Sequence, residues 1–154
     1  CAVVELTDGR LMLNMRSYRG KNRRAVTISE DGGKTWGNSI DDPTLIEPVC
    51  QGSFIRFTDA KAFGKNRLLF SNPASKTRNK LTVRVSYDEG KTWPVGKILN
   101  AGPAAYSNLA VLRDNSIGNL FERGDNNAYE TITFARFELE WLTDGKDEWN
   151  WRKE

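Results

Sequence analysis

Histidine is absent from all 154 residues, which excludes imidazole acid–base chemistry, Ser-His-Asp triads and most catalytic zinc sites. Cysteine is scarce: Cys1 and Cys50 are the only two, too few to establish a disulfide framework or a cysteine metal site. No cluster of other residues implies a metal or a cofactor. Long apolar runs are missing too, and none approaches the roughly 18 residues that a transmembrane helix needs. Neither sign of charge dominates. The 23 Lys and Arg are interspersed with 20 Asp and Glu, which gives poor support for a nucleic-acid footprint. With 38% hydrophobic and 28% charged residues, the composition is that of one ordinary folded domain. Carboxylates, Tyr, Lys and Cys remain for catalysis, and arginine for binding.

What the sequence does have is a repeat. Ser29-Glu30-Asp31-Gly32-Gly33-Lys34-Thr35-Trp36 returns as Ser86-Tyr87-Asp88-Glu89-Gly90-Lys91-Thr92-Trp93, a step of 57 positions. That step is on the scale of one antiparallel blade in a radially repeated β-architecture, where periods run roughly 40 to 50 residues. Each copy follows an alternating apolar run and so sits at the turn leaving a strand. Asp at the third place can bond the amides of its own turn, Gly at the fifth can take positive φ, and the closing Trp can plug the gap between sheets. These roles are structural, and neither copy is assigned a catalytic part.

Strands are expected at Ala2 to Leu6 and Leu11 to Met15, separated by an Asp8-Gly9 hairpin signal, and at Arg24 to Ser29. An outer strand or loop follows within Gly37 to Pro48. The layout repeats with Ser53 to Thr58, Arg67 to Ser71, Leu81 to Ser86 and an outer strand near Val95 to Leu99. A third meander begins separately at Ala105 to Arg113 and continues through Ile117 to Glu122 and Thr131 to Glu138. No helix-period stretch is expected, apart from a final strand or turn of helix near Glu138 to Leu142. The count is about three blades, over 1–48, 49–101 and 102–154. Closed propellers have about 4 to 8 blades, and open sheet edges are a liability. The chain, which begins with Cys rather than Met, is therefore expected to be part of something longer. A missing N-terminal half, or another copy of the chain, would supply the remaining blades.

The repeated motif is the Asp-box, and with it the chain resembles the C-terminal half of a sialidase (neuraminidase) of the bacterial and animal type. The resemblance implies an all-β fold, about three four-stranded antiparallel blades of a six-bladed propeller. It also implies an exo-α-sialidase that hydrolyses terminal sialic acids from glycoconjugates, with retention, through a Tyr nucleophile. A secreted or periplasmic location is favoured by the resemblance alone. The substrate's anomeric carbon bears a carboxylate, which a triad of arginines grips in this family; arginine offers paired donors and a permanent charge. A neutral phenol avoids the repulsion that an anionic nucleophile would meet from that carboxylate. It must then lose its proton to a nearby base as it attacks.

Four residues fall on the family's pattern. Glu5, in the apolar run Ala2 to Leu6, is the expected base; an outward-facing Glu is the plainer reading of the strand alone. Arg24, in Asn22 to Ser29, resembles the second triad arginine. Strand alternation lets only one of Arg23 and Arg24 face the pocket, and Arg23 remains a rival. Arg16, Arg19 and Lys21 read with them as a solvated basic turn. Arg78, in Phe70 to Arg84, resembles the third triad arginine, with Arg84 the rival in the same strand. Tyr106, in Gly102 to Ala110, resembles the nucleophile and lies 28 positions after Arg78. The family's first arginine and its acid/base Asp have no counterpart here, so activity of the chain by itself is not expected. The competing reading is a non-catalytic Asp-box module that binds carbohydrate or protein.

Overall fold

The computed structural model describes residues 1–149. Strands β1 (Ala2–Glu5), β2 (Leu11–Met15), β3 (Arg23–Ser29) and β4 (Ile40–Ile46) form one antiparallel sheet in that order. Six further strands form a second: β5 (Ser53–Thr58), β6 (Arg67–Pro73), β7 (Asn79–Ser86), β8 (Val95–Val111), β9 (Ile117–Arg123) and β10 (Thr131–Phe137). Within each sheet the strands pair with their neighbours in sequence, as the alternating runs and turn signals predict. The fold is all-β and of propeller type.

Two details differ from the sequence reading. The outer strand of the second meander and the first strand of the third are one element, β8, of 17 residues. Its first part pairs with β7, from Val95↔Val85 to Pro103↔Asn79, and its second with β9, from Ala104↔Arg123 to Val111↔Ile117. Gly102-Pro103 does not interrupt it, because Pro103 lies where the strand passes from one partner to the other and its missing N–H breaks no regular ladder. The second difference is a helical turn, α1 (Ala60–Phe63), which is too short to show a helical period. Asp59 caps it by accepting the Ala62 N–H, and Gly64 ends it at φ 71°. At the end of the described chain, Glu138 to Leu142 resolves into helical turn α2 (Leu139–Leu142).

Apolar side chains from the two sheets meet face to face. Val4, Leu6, Met12 and Val26 of the first pack with Phe54, Leu68, Phe70 and Trp93 of the second. Trp93, the last residue of the second box, stands 6.0 Å from Phe54 and 5.8 Å from Phe70 between ring centroids. It is the plug that the motif predicts. Its counterpart Trp36 is 38% exposed. A second cluster, with Leu69, Val83, Val85, Leu109 and Ile117, is closed by Leu139 and Leu142 of α2.

The boxes repeat atom for atom. In the first, Thr35 N–H and Oγ1 donate to the two Asp31 oxygens at 2.8 and 2.6 Å, and Ser29 Oγ donates to Asp31 at 2.9 Å. In the second, Thr92 and Ser86 make the same three bonds to Asp88 at 2.8, 2.7 and 2.8 Å. Gly90 shows why the fifth place is glycine: φ is 81°, and a Cβ there would meet Met12 Sδ of the facing sheet at 2.8 Å. Both boxes follow the C-terminal ends of their strands, β3 and β7, and so lie at one end of the fold.

The hydrogen bonds from Thr35, and then from Ser29, hold the Asp31 carboxyl down at about 2. A carboxylate whose folded pKa lies below its unfolded value near 3.8 stabilises the fold above that value, and the contribution is lost as pH falls through about 2. Replacing Thr35 and Thr92 with Val should therefore lower stability at pH 7, with the difference from the parent shrinking between about pH 4 and pH 2. Acid titrations followed by tryptophan fluorescence check this; a difference that persists unchanged to pH 2 would refute it.

Candidate active site

The end of the fold opposite the boxes gathers arginine and tyrosine. Arg16 follows the last residue of β2, Arg78 precedes the first of β7, and Tyr106 lies on β8 where that strand has just left β7. Antiparallel pairing carries all three to the same end. Arg16 Nη1 donates to Tyr106 Oη at 3.4 Å, and the Arg78 guanidinium lies 5.5 Å from the centre of the Tyr106 ring. Tyr18 and Tyr129 enclose the pair: Arg16 donates to Tyr18 Oη and Arg78 to Tyr129 Oη. Tyr106 is 42% exposed, whereas its chain neighbours Ala105 and Ser107 are buried, so alternation along β8 turns the phenol outward. The Glu122 carboxylate accepts the Tyr106 N–H at 3.0 Å. Both residues line a cavity of about 260 Å³ with Gln51, Asn108, Leu120 and Ile132.

Among the described residues, neither Arg16 nor Arg78 makes a salt bridge with a carboxylate. Two guanidinium groups converging on one phenol without a counter-ion form a site suited to an anion. Burial opposes the charge on Arg78, yet Cys50, Tyr129 and Tyr106 beside it, each anionic at high pH, hold its pKa above the usual value. Burial likewise pushes the Cys50 thiol up, against the pull of Arg78.

Arg78 and Tyr106 are thus brought together, and Arg24 and Glu5 are not brought to them. Arg24 shares the face of Val26, as alternation along β3 predicts, but that face packs against the second sheet rather than opening on a pocket. Its side chain is fully buried, 5.5 Å from the Phe70 ring centre. It donates to Asn14 Oδ1 at 2.6 Å, to the Cys50 carbonyl at 2.7 Å and to Glu47 Oε2 at 3.4 Å. Burial draws its pKa below the usual value while Glu47 draws it back. The rival Arg84 is partly buried and donates to Asn72 Oδ1 at 3.3 Å.

Glu5 stands at the wrong end of its strand. β1 starts level with Asn14, close to Arg16, and finishes with Glu5 opposite Leu11 at the box end. The three intervening steps carry Glu5 roughly 10 Å from the site end of β1. The Glu5 carbonyl accepts two bonds from Arg56, whose guanidinium also grips Glu89 of the second box. No hydrogen bond joins Glu5 to Tyr106 among the described residues. The residue at this end that sequence reasoning passes over is Arg16. The available signal is its place just after β2, at the same end of its sheet as Arg78.

A family model described as a BNR repeat-like domain matches residues 1–121. A sialidase of Micromonospora viridifaciens is 44% identical over 144 residues, covering 90% of this chain and 21% of that protein. The chain belongs to the Asp-box (BNR-repeat) sialidase family. The structure of a microbial sialidase, Hz136, superposes with a TM-score of 0.78 at 38% identity, over 91% of this chain and 27% of that one. A Trypanosoma rangeli sialidase, solved with 2,3-difluorosialic acid as the covalent intermediate, superposes with a TM-score of 0.64 at 28% identity, over 88% of this chain and 22% of that one. The chain therefore spans about a fifth to a quarter of the length of these sialidases.

The different settings of Arg24 and Arg16 predict different costs of replacement. Arg24→Met leaves Glu47 as an uncompensated buried charge and should cost about 3–5 kcal/mol. Arg16→Met, at the partly open site, should cost about 0.5 kcal/mol or less. Urea unfolding of the two variants checks this, and equal losses would contradict it.

Proposed function

We propose that this chain contributes the nucleophile and two carboxylate-binding arginines of an exo-α-sialidase that cleaves terminal sialic acids from glycoconjugates with retention. The observation that carries the reading is the convergence of two arginines on Tyr106, Arg16 at its hydroxyl and Arg78 against its ring. In this scheme the two guanidinium groups grip the carboxylate on the anomeric carbon, which brings that carbon over the phenol. Tyr106 Oη attacks, forming a tyrosyl–glycosyl bond as the glycosidic bond breaks, and water later hydrolyses it. Two inversions give net retention. In this reading Arg16 takes the clamp position expected for Arg24. The phenol proton needs an acceptor and the leaving oxygen a donor; Glu5 is not placed to serve as either. In this scheme both are supplied by groups other than Glu5.

The covalent intermediate seen in the Trypanosoma rangeli sialidase supports the reading and suggests its test. In the full protein carrying this chain, 2,3-difluorosialic acid should add one sialosyl mass to the peptide containing Tyr106. Tyr106→Phe should abolish the adduct and reduce turnover by roughly 10³-fold or more, while binding of free sialic acid survives. A labelled Tyr106→Phe protein, or an unlabelled parent, would overturn the assignment. An unlabelled parent that still binds sialylated glycan would favour the non-catalytic module instead.

A further inference from the structure

The fully buried pair Arg24 and Glu47 has no part in the chemistry above, yet its bonds reach both arginines of the site. Glu47 Oε1 accepts the N–H of Ser17, the residue after Arg16, at 2.8 Å. Its Oε2 accepts the Cys50 N–H at 2.8 Å and a bond from Arg24 at 3.4 Å. Arg24 in turn donates to the Cys50 carbonyl, and through Nε to Asn14, two residues before Arg16. Immediately before Cys50, the Val49 carbonyl accepts a bond from Arg78 at 3.4 Å. One buried pair therefore fixes the backbone beneath Arg16 and the carbonyl that steers Arg78.

The loop between them is strained. Val49 has φ 56°, a left-handed conformation that β-branched residues rarely adopt. It is over-determined by the two bonds to Cys50 on one side and, on the other, by Glu47, whose own N–H and carbonyl bond to Asn22. Burying an ion pair is a poor route to stability, since well-packed apolar residues often serve as well or better. An ion pair does hold hydrogen-bonding directions that apolar residues cannot.

We propose that Arg24 and Glu47 are positioning residues that set the separation of Arg16 and Arg78 to match one carboxylate. The specificity for a carboxylate rests on the function proposed above; the tether itself does not. In the full protein carrying this chain, Arg24→Met combined with Glu47→Leu replaces the pair by apolar side chains. That double variant deprives the Ser17 and Cys50 N–H groups, the Cys50 carbonyl and Asn14 Oδ1 of their partners, and should melt below the parent. Hydrogen exchange should speed up in the segments spanning residues 16–22 and 47–51, and the Kd for N-acetylneuraminic acid should rise at least tenfold. Glu47→Gln keeps one acceptor oxygen and should fall between the two, a partial rescue that loss of packing alone would not produce. A double variant with the parent's affinity and exchange pattern would overturn the proposal. If it does not fold, Glu47→Gln with unchanged affinity and exchange would do so. If the parent binds no N-acetylneuraminic acid but the two segments still loosen, the sialidase reading falls and the tether stands.

Discussion

Antiparallel pairing gives every meander two ends, and this division governs the rest of the structure. At one end, both Asp-boxes close their strands with the same threonine, serine and aspartate bonds. At the other end, no such turn is built among the described residues, and Arg16, Arg78 and Tyr106 are presented instead. The polarity is set by which strand the box follows. Since each box follows the third strand of its meander, residues just after the second strand and just before the third must lie at the opposite end.

Among the described residues the two arginines meet at Tyr106 with no carboxylate paired to either. The Glu47 carboxylate lies inside, where it pairs with Arg24 and accepts the backbone N–H groups of Ser17 and Cys50. A carboxylate placed directly between Arg16 and Arg78 would fill the space that the proposed substrate anion takes. Displacing the negative charge inward keeps the site open and restrains the loop that carries the strained Val49. Glu89 plays an analogous tying role at the box end, joining Arg56 and the Thr7 N–H to the second box.

Much of the fold was legible because its signals are local. Alternation located the strands, and the repeated motif located the turns and the Trp93 plug. Val95 to Leu99 and Ala105 to Arg113 read as separate strands, and only the pairing partners on either side reveal one strand passing between them. The site was harder to read, because strand parity states which face a residue occupies but not what covers that face. Arg24 was correctly set on the face of Val26, and that face is sealed by the second sheet and the Glu47–Cys50 loop. Glu5 matches the family carboxylate by its place in the first strand ahead of the hairpin, but the register of β1 with β2 sets it opposite Leu11 at the box end. Arg16, read as part of a solvated basic turn, lies at the right end, and the register β1 shares with β2 identifies that end.

The central claim is that Arg16 and Arg78 act together on one anion. A double-mutant cycle with Arg16→Met and Arg78→Met, read by calorimetric binding of N-acetylneuraminic acid to the full protein carrying this chain, tests it most directly. Two guanidinium groups sharing one carboxylate should be coupled by about 1 kcal/mol or more, so that the second substitution costs much less than the first. Additive losses, or an affinity that neither substitution changes, would contradict the account.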